Sequence, residues 1–274
     1  MDQGTATGGW PRSRHGRAGR VFAGVMVLLF TASVAATIVS CASMSAMGAL
    51  PMPGGWTMST AWRPMCGQTW AGAAASFVGM WTVMMVAMML PSLAPMLWSY
   101  RQSIGGRGET RVDWLTALVG VGYFFVWSAF GCAAFVLGAA LTALEMQWPV
   151  LARSVPLAVG VVVLSGGALQ FSRWKAHRLG CCRRMPACAG RLAPDARSAW
   201  RHGLRLGLHC SYCCAGFTAM LLASGVMDFR AMAAVTAAIT AERLAPDGER
   251  VARAIGAVAV GTGAFLIGRA VGLV

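Results

Sequence analysis

The run VFAGVMVLLFTASVAATIVS, residues 21–40, carries no charge over twenty positions. That is the length one helix needs to cross the hydrocarbon core of a bilayer. The polar, Gly-rich stretch before it holds Arg12, Arg14, Arg17 and Arg20, and residues 1–20 are expected as a disordered basic cytoplasmic tail. The same run has features of a signal peptide, and IVSC at 38–41 loosely resembles a lipoprotein cleavage site. Because more apolar runs follow, an uncleaved first span is the preferred reading.

Further apolar runs occupy residues 70–98, 114–144, 156–171, 203–227, 229–241 and 254–273; the first three of these are uncharged and the last three carry one arginine each, Arg205, Arg230 and Arg269. The chain of 274 residues is 57% hydrophobic and only 12% charged. A soluble domain carries about a quarter charged residues, so the expected fold class is all-α, a polytopic membrane helix bundle of about seven spans. Residues 21–273 then form one transmembrane helical domain. Pro91 and Pro95 are expected to break the end of span two. Span six is the short one, with an uncharged core of 231–241 that is rich in Ala and Thr. The four-residue spacings Gly203/Gly207 and Gly268/Gly272 favour close helix contact.

The net charge of +14 is a topology signal. Nine Lys and Arg but one acid, Asp195, lie between Arg173 and Arg205. Placing the N-terminus, 99–113, the basic loop 173–202 and 242–253 on the cytoplasmic side satisfies the positive-inside rule. Nothing resembles a nucleic-acid motif, so no nucleic-acid partner is expected. The lipid bilayer is the partner expected at this point, while the oligomeric state is left open.

Sulfur is the chemical feature. Eighteen Met are present, and eleven fall between Met44 and Met96. In residues 78–96, VGMWTVMMVAMMLPSLAPM, Met80, Met84 and Met88 share one helical face, and Met85 and Met89 form an adjacent row with Trp81. Thioethers suit Cu(I) and bring no charge into a membrane, although Met also serves simply as adaptable packing. In LGLHCSYCCAGF, residues 206–217, Cys210, Cys213 and Cys214 fall on one face, with His209 four residues before Cys213. Such thiols can ligate a soft ion, pack as small apolar groups, or act as a CxxC redox pair, Cys210/Cys213. At about 1.5 Å per residue from the proposed inner ends, the two clusters reach overlapping depths. They can meet only if spans two and five are neighbours.

Glu242, in AERLAP, is either a buried functional carboxylate or a solvated acid beside Arg243. In LGCCRRMPAC, residues 179–188, Cys181, Cys182 and Cys188 lie beside basic residues, with His177 nearby. They are either a transfer site or solvated thiols. The Met-rich extracytoplasmic loop 41–68 holds Met44, Met47, Met52, Met58, Met65 and Cys66, and its prolines and glycines argue against regular helix. Cys41 and Cys66 are an alternative disulfide pair.

Four segments in order carry a resemblance to a known family. They are MWTVMMVAMMLPSLAPM (80–96), LQFSRWKAHRLGCCRRMP (169–186), GLRLGLHCSYCCAGFTAML (203–221) and GVMDFRAMAAVTAAITAERLAP (225–246). Over a core of about 70–246 the chain resembles a bacterial family, of unknown function, described as predicted metal-binding integral membrane proteins. The resemblance implies a multi-span protein of the bacterial inner membrane with a metal role, narrowed by some descriptions to copper, and with that role a copper donor or acceptor protein as a partner. It implies Met84, Met85, Met88, Met89, Cys210, Cys213, Cys214 and Glu242 as signature positions. The chain departs from the family in having Ala215 where Trp is frequent and Arg243 where Lys is frequent.

The function expected is binding or delivery of a soft metal ion, Cu(I), through Met and Cys of spans two and five. The metal set is Met84, Met85, Met88, Met89, Cys210, Cys213, Cys214, His209 and Glu242. The alternatives are a membrane thiol oxidoreductase using Cys210/Cys213 and a non-catalytic assembly subunit.

Overall fold

A computed structural model describes residues 12–46, 48, 50–52, 55–64, 67–104, 109–188, 193–226 and 228–273. Eight helices make up the bundle: α1 (Arg12–Ala46), α2 (Trp70–Ser103), α3 (Glu109–Gln147), α4 (Pro149–Leu169), α5 (Arg173–Cys188), α6 (Ala196–Ser224), α7 (Phe229–Leu244) and α8 (Gly248–Ala270). A short antiparallel hairpin, Leu50–Met52 with Trp56–Met58, lies between α1 and α2.

Six helices, α1, α2, α3, α4, α6 and α8, are long and apolar enough to cross a membrane. The burial pattern agrees with that environment. Val27 and Leu28 of α1, Val136 of α3 and Val258 of α8 are each more than 60% exposed, which is costly in water and favourable in lipid. The seventh expected span is α7, whose 16 residues reach only about 24 Å. It is shorter than the ~30 Å hydrocarbon core and packs beside α2 and α8.

Two kinds of contact set the arrangement. The central helix α2 packs against α1, α3 and α7, and α6 packs against α3, α4 and α5. Gly203 and Gly207 bring α6 against α3: a Cβ on Gly207 would stand 2.8 Å from the Tyr123 carbonyl oxygen. The other expected glycine pair does not work this way, because a Cβ on Gly272 would meet nothing within 4 Å. The close contact of α8 instead uses Gly256 and Gly263 against Gly160 and Gly167 of α4.

Several expectations from sequence are revised. Pro91 and Pro95 lie inside α2, which continues to Ser103. Between them the Ser92 hydroxyl donates to the Met89 carbonyl at 3.0 Å. The basic segment 173–202 is mostly helical, as α5 and the start of α6. In α5, Lys175, Leu179 and Cys182 recur at helical spacing and are buried, which docks the helix on the bundle. The expected disordered tail is helical from Arg12, and residues 1–11 lie outside the described ones. In the Met-rich segment α1 continues to Ala46, then the hairpin and a 3-10 turn at Thr60–Trp62 follow. Met47, Met65 and Cys66 lie outside the described residues, and with Cys66 the alternative disulfide.

Candidate metal centre

Helix α6 starts where the Asp195 carboxylate accepts from the Ser198 N–H at 2.7 Å. Four turns on, Cys210, Cys213 and Cys214 are buried at 1–3% exposure. The glycine contact beneath them sets the spacing to α3, and Tyr123 Oη donates to Cys210 Sγ at 2.8 Å. Met89 of α2 reaches the same thiol from the opposite side, its Sδ 3.9 Å from Cys210 Sγ. Cys214 Sγ lies 4.0 Å from Cys210 Sγ. Cys210 is therefore the shared corner of two sulfur–sulfur edges.

A guanidinium closes the group. Arg243 Nη2 donates to Cys210 Sγ at 2.8 Å and reaches Cys214 Sγ at 3.6 Å. Its Nη1 donates to Ser92 Oγ at 3.3 Å. Two donors converging on Cys210 stabilise negative charge on that sulfur. Next to it, Glu242 is buried and its Oε2 pairs with Lys175 Nζ at 2.7 Å. Lys175 also donates to the Cys213 carbonyl at 2.9 Å and lies over the Phe217 ring. The Glu242–Lys175 charges cancel, leaving the Arg243 charge facing the thiols.

The expected residues are divided by this geometry. Met84 and Met88 face away from the thiols, lining an apolar crevice of about 70 Å³ with Phe30 and Val34 of α1 and Met232 of α7. Met85 is buried one turn from Met89 on the same row. Cys213 lies on the side of α6 toward α5, whose Cys182 thiol donates to the His209 carbonyl at 3.4 Å. The neighbouring Cys213, together with burial, holds the Cys182 thiol well above the usual range. The His209 ring is directed to its own helix, Nδ1 lying 2.9 Å from the Arg205 carbonyl. Glu242 serves the centre through Lys175 and is not a solvated acid.

Sequence reasoning did not select Arg243, Tyr123, Ser92 or Lys175 as parts of one centre. Arg243 carried a signal, as the residue that departs from the family pattern. Tyr123 and Lys175 carried none, because each is brought in from another helix.

The donors fit a soft monovalent cation. Metal–sulfur bonds of about 2.3 Å in a trigonal set hold the sulfurs about 4.0 Å apart, close to both observed edges. Among the described residues no three His, Cys, Asp or Glu side chains group as a metal site. The third sulfur here belongs to a methionine. Glu242 Oε1 and Arg243 Nε have no hydrogen-bond partner among the described residues, so the centre retains unused polar capacity.

The model of the family described as PpoB2, copper chaperone, matches residues 78–266, more than half of the chain. The chain belongs to the PpoB2 copper chaperone family. All four motif segments read from sequence fall inside the match, and the copper role they implied is the family's. No curated protein and no solved structure matches the chain.

Proposed function

We propose that this protein is a membrane-embedded copper chaperone that holds one Cu(I) between Cys210 and Cys214 of α6 and Met89 of α2. The observation that carries the reading is the pair of sulfur–sulfur edges, 3.9 Å and 4.0 Å, meeting at Cys210. Two thiolates and one Cu(I) sum to −1, and the Arg243 guanidinium offsets that charge in place. Binding releases the thiol protons, so affinity rises with pH. A neutral loaded centre suits burial among apolar helices. The positive-inside pattern places the α5 end on the cytoplasmic side of a bacterial inner membrane, where a copper donor or acceptor protein would meet it.

The thiol oxidoreductase reading has less support. The α6 thiol that lies 4.0 Å from Cys210 is Cys214, not the CxxC partner Cys213. An assembly role without metal leaves the Arg243–thiol contact without a purpose.

The test is Cu(I) competition against a chelator, on reduced protein in nanodiscs under anaerobic conditions. Wild type takes up one ion per chain. Cys210→Ser and Cys214→Ser each lose tight binding, and His209→Ala keeps it. Folded wild type that takes up no Cu(I) would refute the proposal.

A further inference from the structure

The centre is closed over by Arg243 and Tyr123, and an ion reaching it from water needs ligands along the way. The face of α5 supplies them. Cys182 is buried, its thiol donating at 3.4 Å to the His209 carbonyl, on the turn of α6 that leads to Cys213. Cys213 and Cys214 follow on that helix, both buried, and Cys210 lies 4.0 Å from Cys214 and 3.9 Å from Met89, so buried sulfurs continue inward from Cys182.

The outer end of this row is at the surface. Cys181 is half-buried, and its Sγ lies 3.5 Å from Nε2 of His177, which is exposed. The preceding residues of α5, Leu179 and Gly180, line an open cleft of about 460 Å³ with Asp247, Glu249, Arg250 and Arg253 of the α7–α8 turn and α8. The helix thus presents one thiol and one imidazole outward, and the next thiol along inward. Solvent-facing reduced cysteines would not need Cys182 to be 4% exposed with its thiol bonded to a carbonyl of another helix.

We propose that α5 carries a loading site for Cu(I), formed by His177 and Cys181, from which the ion passes by way of Cys182 and Cys213 to the Cys210–Cys214 pair. This rests on the proposed function and adds the route and its starting point. Each hop forms one Cu–S bond and breaks another. The proton leaving the thiol that gains the ion passes to the thiolate that loses it, so the oxidation state of copper is unchanged. An imidazole and a soft thiol suit Cu(I) at the outer end as well.

The experiment is anaerobic stopped-flow loading of the full chain in nanodiscs from the Cu(I)–glutathione complex, with an equilibrium titration of the same samples. Cys182→Ser is expected to reach the same one ion per chain at the same affinity, with loading slowed by about tenfold or more. Cys181→Ser, a substitution of a half-exposed residue, is expected to slow loading while leaving the endpoint alone. Equal rates in wild type and both variants would overturn the route while leaving the Cys210–Cys214–Met89 centre standing. Loss of the endpoint in Cys182→Ser would also overturn it, by making Cys182 a ligand of the resting centre. Wild type that takes up no Cu(I) would remove the proposed function and this route with it.

Discussion

Replacing Arg243 with methionine separates the charge at the centre from its sulfur ligands. Arg243 is buried, and among the described residues it makes no ion pair with a carboxylate. Its shortest contact is the 2.8 Å bond to Cys210 Sγ, while the contacts to Ser92 and Cys214, at 3.3 and 3.6 Å, are longer. Counting only the first, a hydrogen bond to a charged group is worth about 1.5–3 kcal/mol. At ~1.4 kcal/mol per tenfold, Arg243→Met raises the Kd for Cu(I) by about 10- to 150-fold. The metal-free protein is expected to lose no stability, since the variant removes a desolvated charge. Arg243→Lys, which keeps the charge but not the fork of donors, falls between the two. The assays are chelator competition for Kd and thermal unfolding of the metal-free protein in nanodiscs. An unchanged Kd in Arg243→Met would refute the counter-charge argument.

Glu242→Gln strands Lys175 Nζ, which Glu242 holds at 2.7 Å. Breaking a buried pair from one side costs about 3–5 kcal/mol, so thermal unfolding should occur well below wild type, and the double change with Lys175→Met should recover much of the loss. Gly207→Ala places a Cβ 2.8 Å from the Tyr123 carbonyl. It should cost about 1–3 kcal/mol by overpacking and weaken Cu(I) binding by shifting Tyr123 off Cys210, both readable on one purified sample. Met89→Leu and Met88→Leu are both near-isosteric changes costing less than about 1.5 kcal/mol in stability. Only Met89→Leu should weaken Cu(I) binding in the competition titration, because Met88 faces the crevice toward α1 and α7.

The membrane character and the helices were legible because twenty uncharged residues leave the chain few alternatives. What sequence misjudged was continuity. Pro91 and Pro95 read as an ending, yet α2 runs on through both to Ser103. The charges of 173–188 read as a loop, although Lys175, Leu179 and Cys182 recur at helical spacing. At the centre, chemistry was visible and partnership was not. Cys210 and Cys214 could be selected from one helix, since their spacing is local. Among the methionines, periodicity yields two rows but not which row faces α6, and that decides between Met89 and the Met84–Met88 face. Tyr123 comes from a helix whose packing depends on glycine contacts such as Gly207 against Tyr123, and Arg243 from α7, packed beside α2 and α8. No single-helix pattern encodes that.

The most direct test is X-ray absorption at the copper edge on reduced protein loaded with one equivalent of Cu(I) in nanodiscs. The account predicts a Cu(I) edge and a shell of sulfur alone at about 2.3 Å, with Met89→Leu reducing the number of sulfurs. A shell containing nitrogen or oxygen, or a sulfur count unaffected by Met89→Leu, would contradict a centre built from Cys210, Cys214 and Met89.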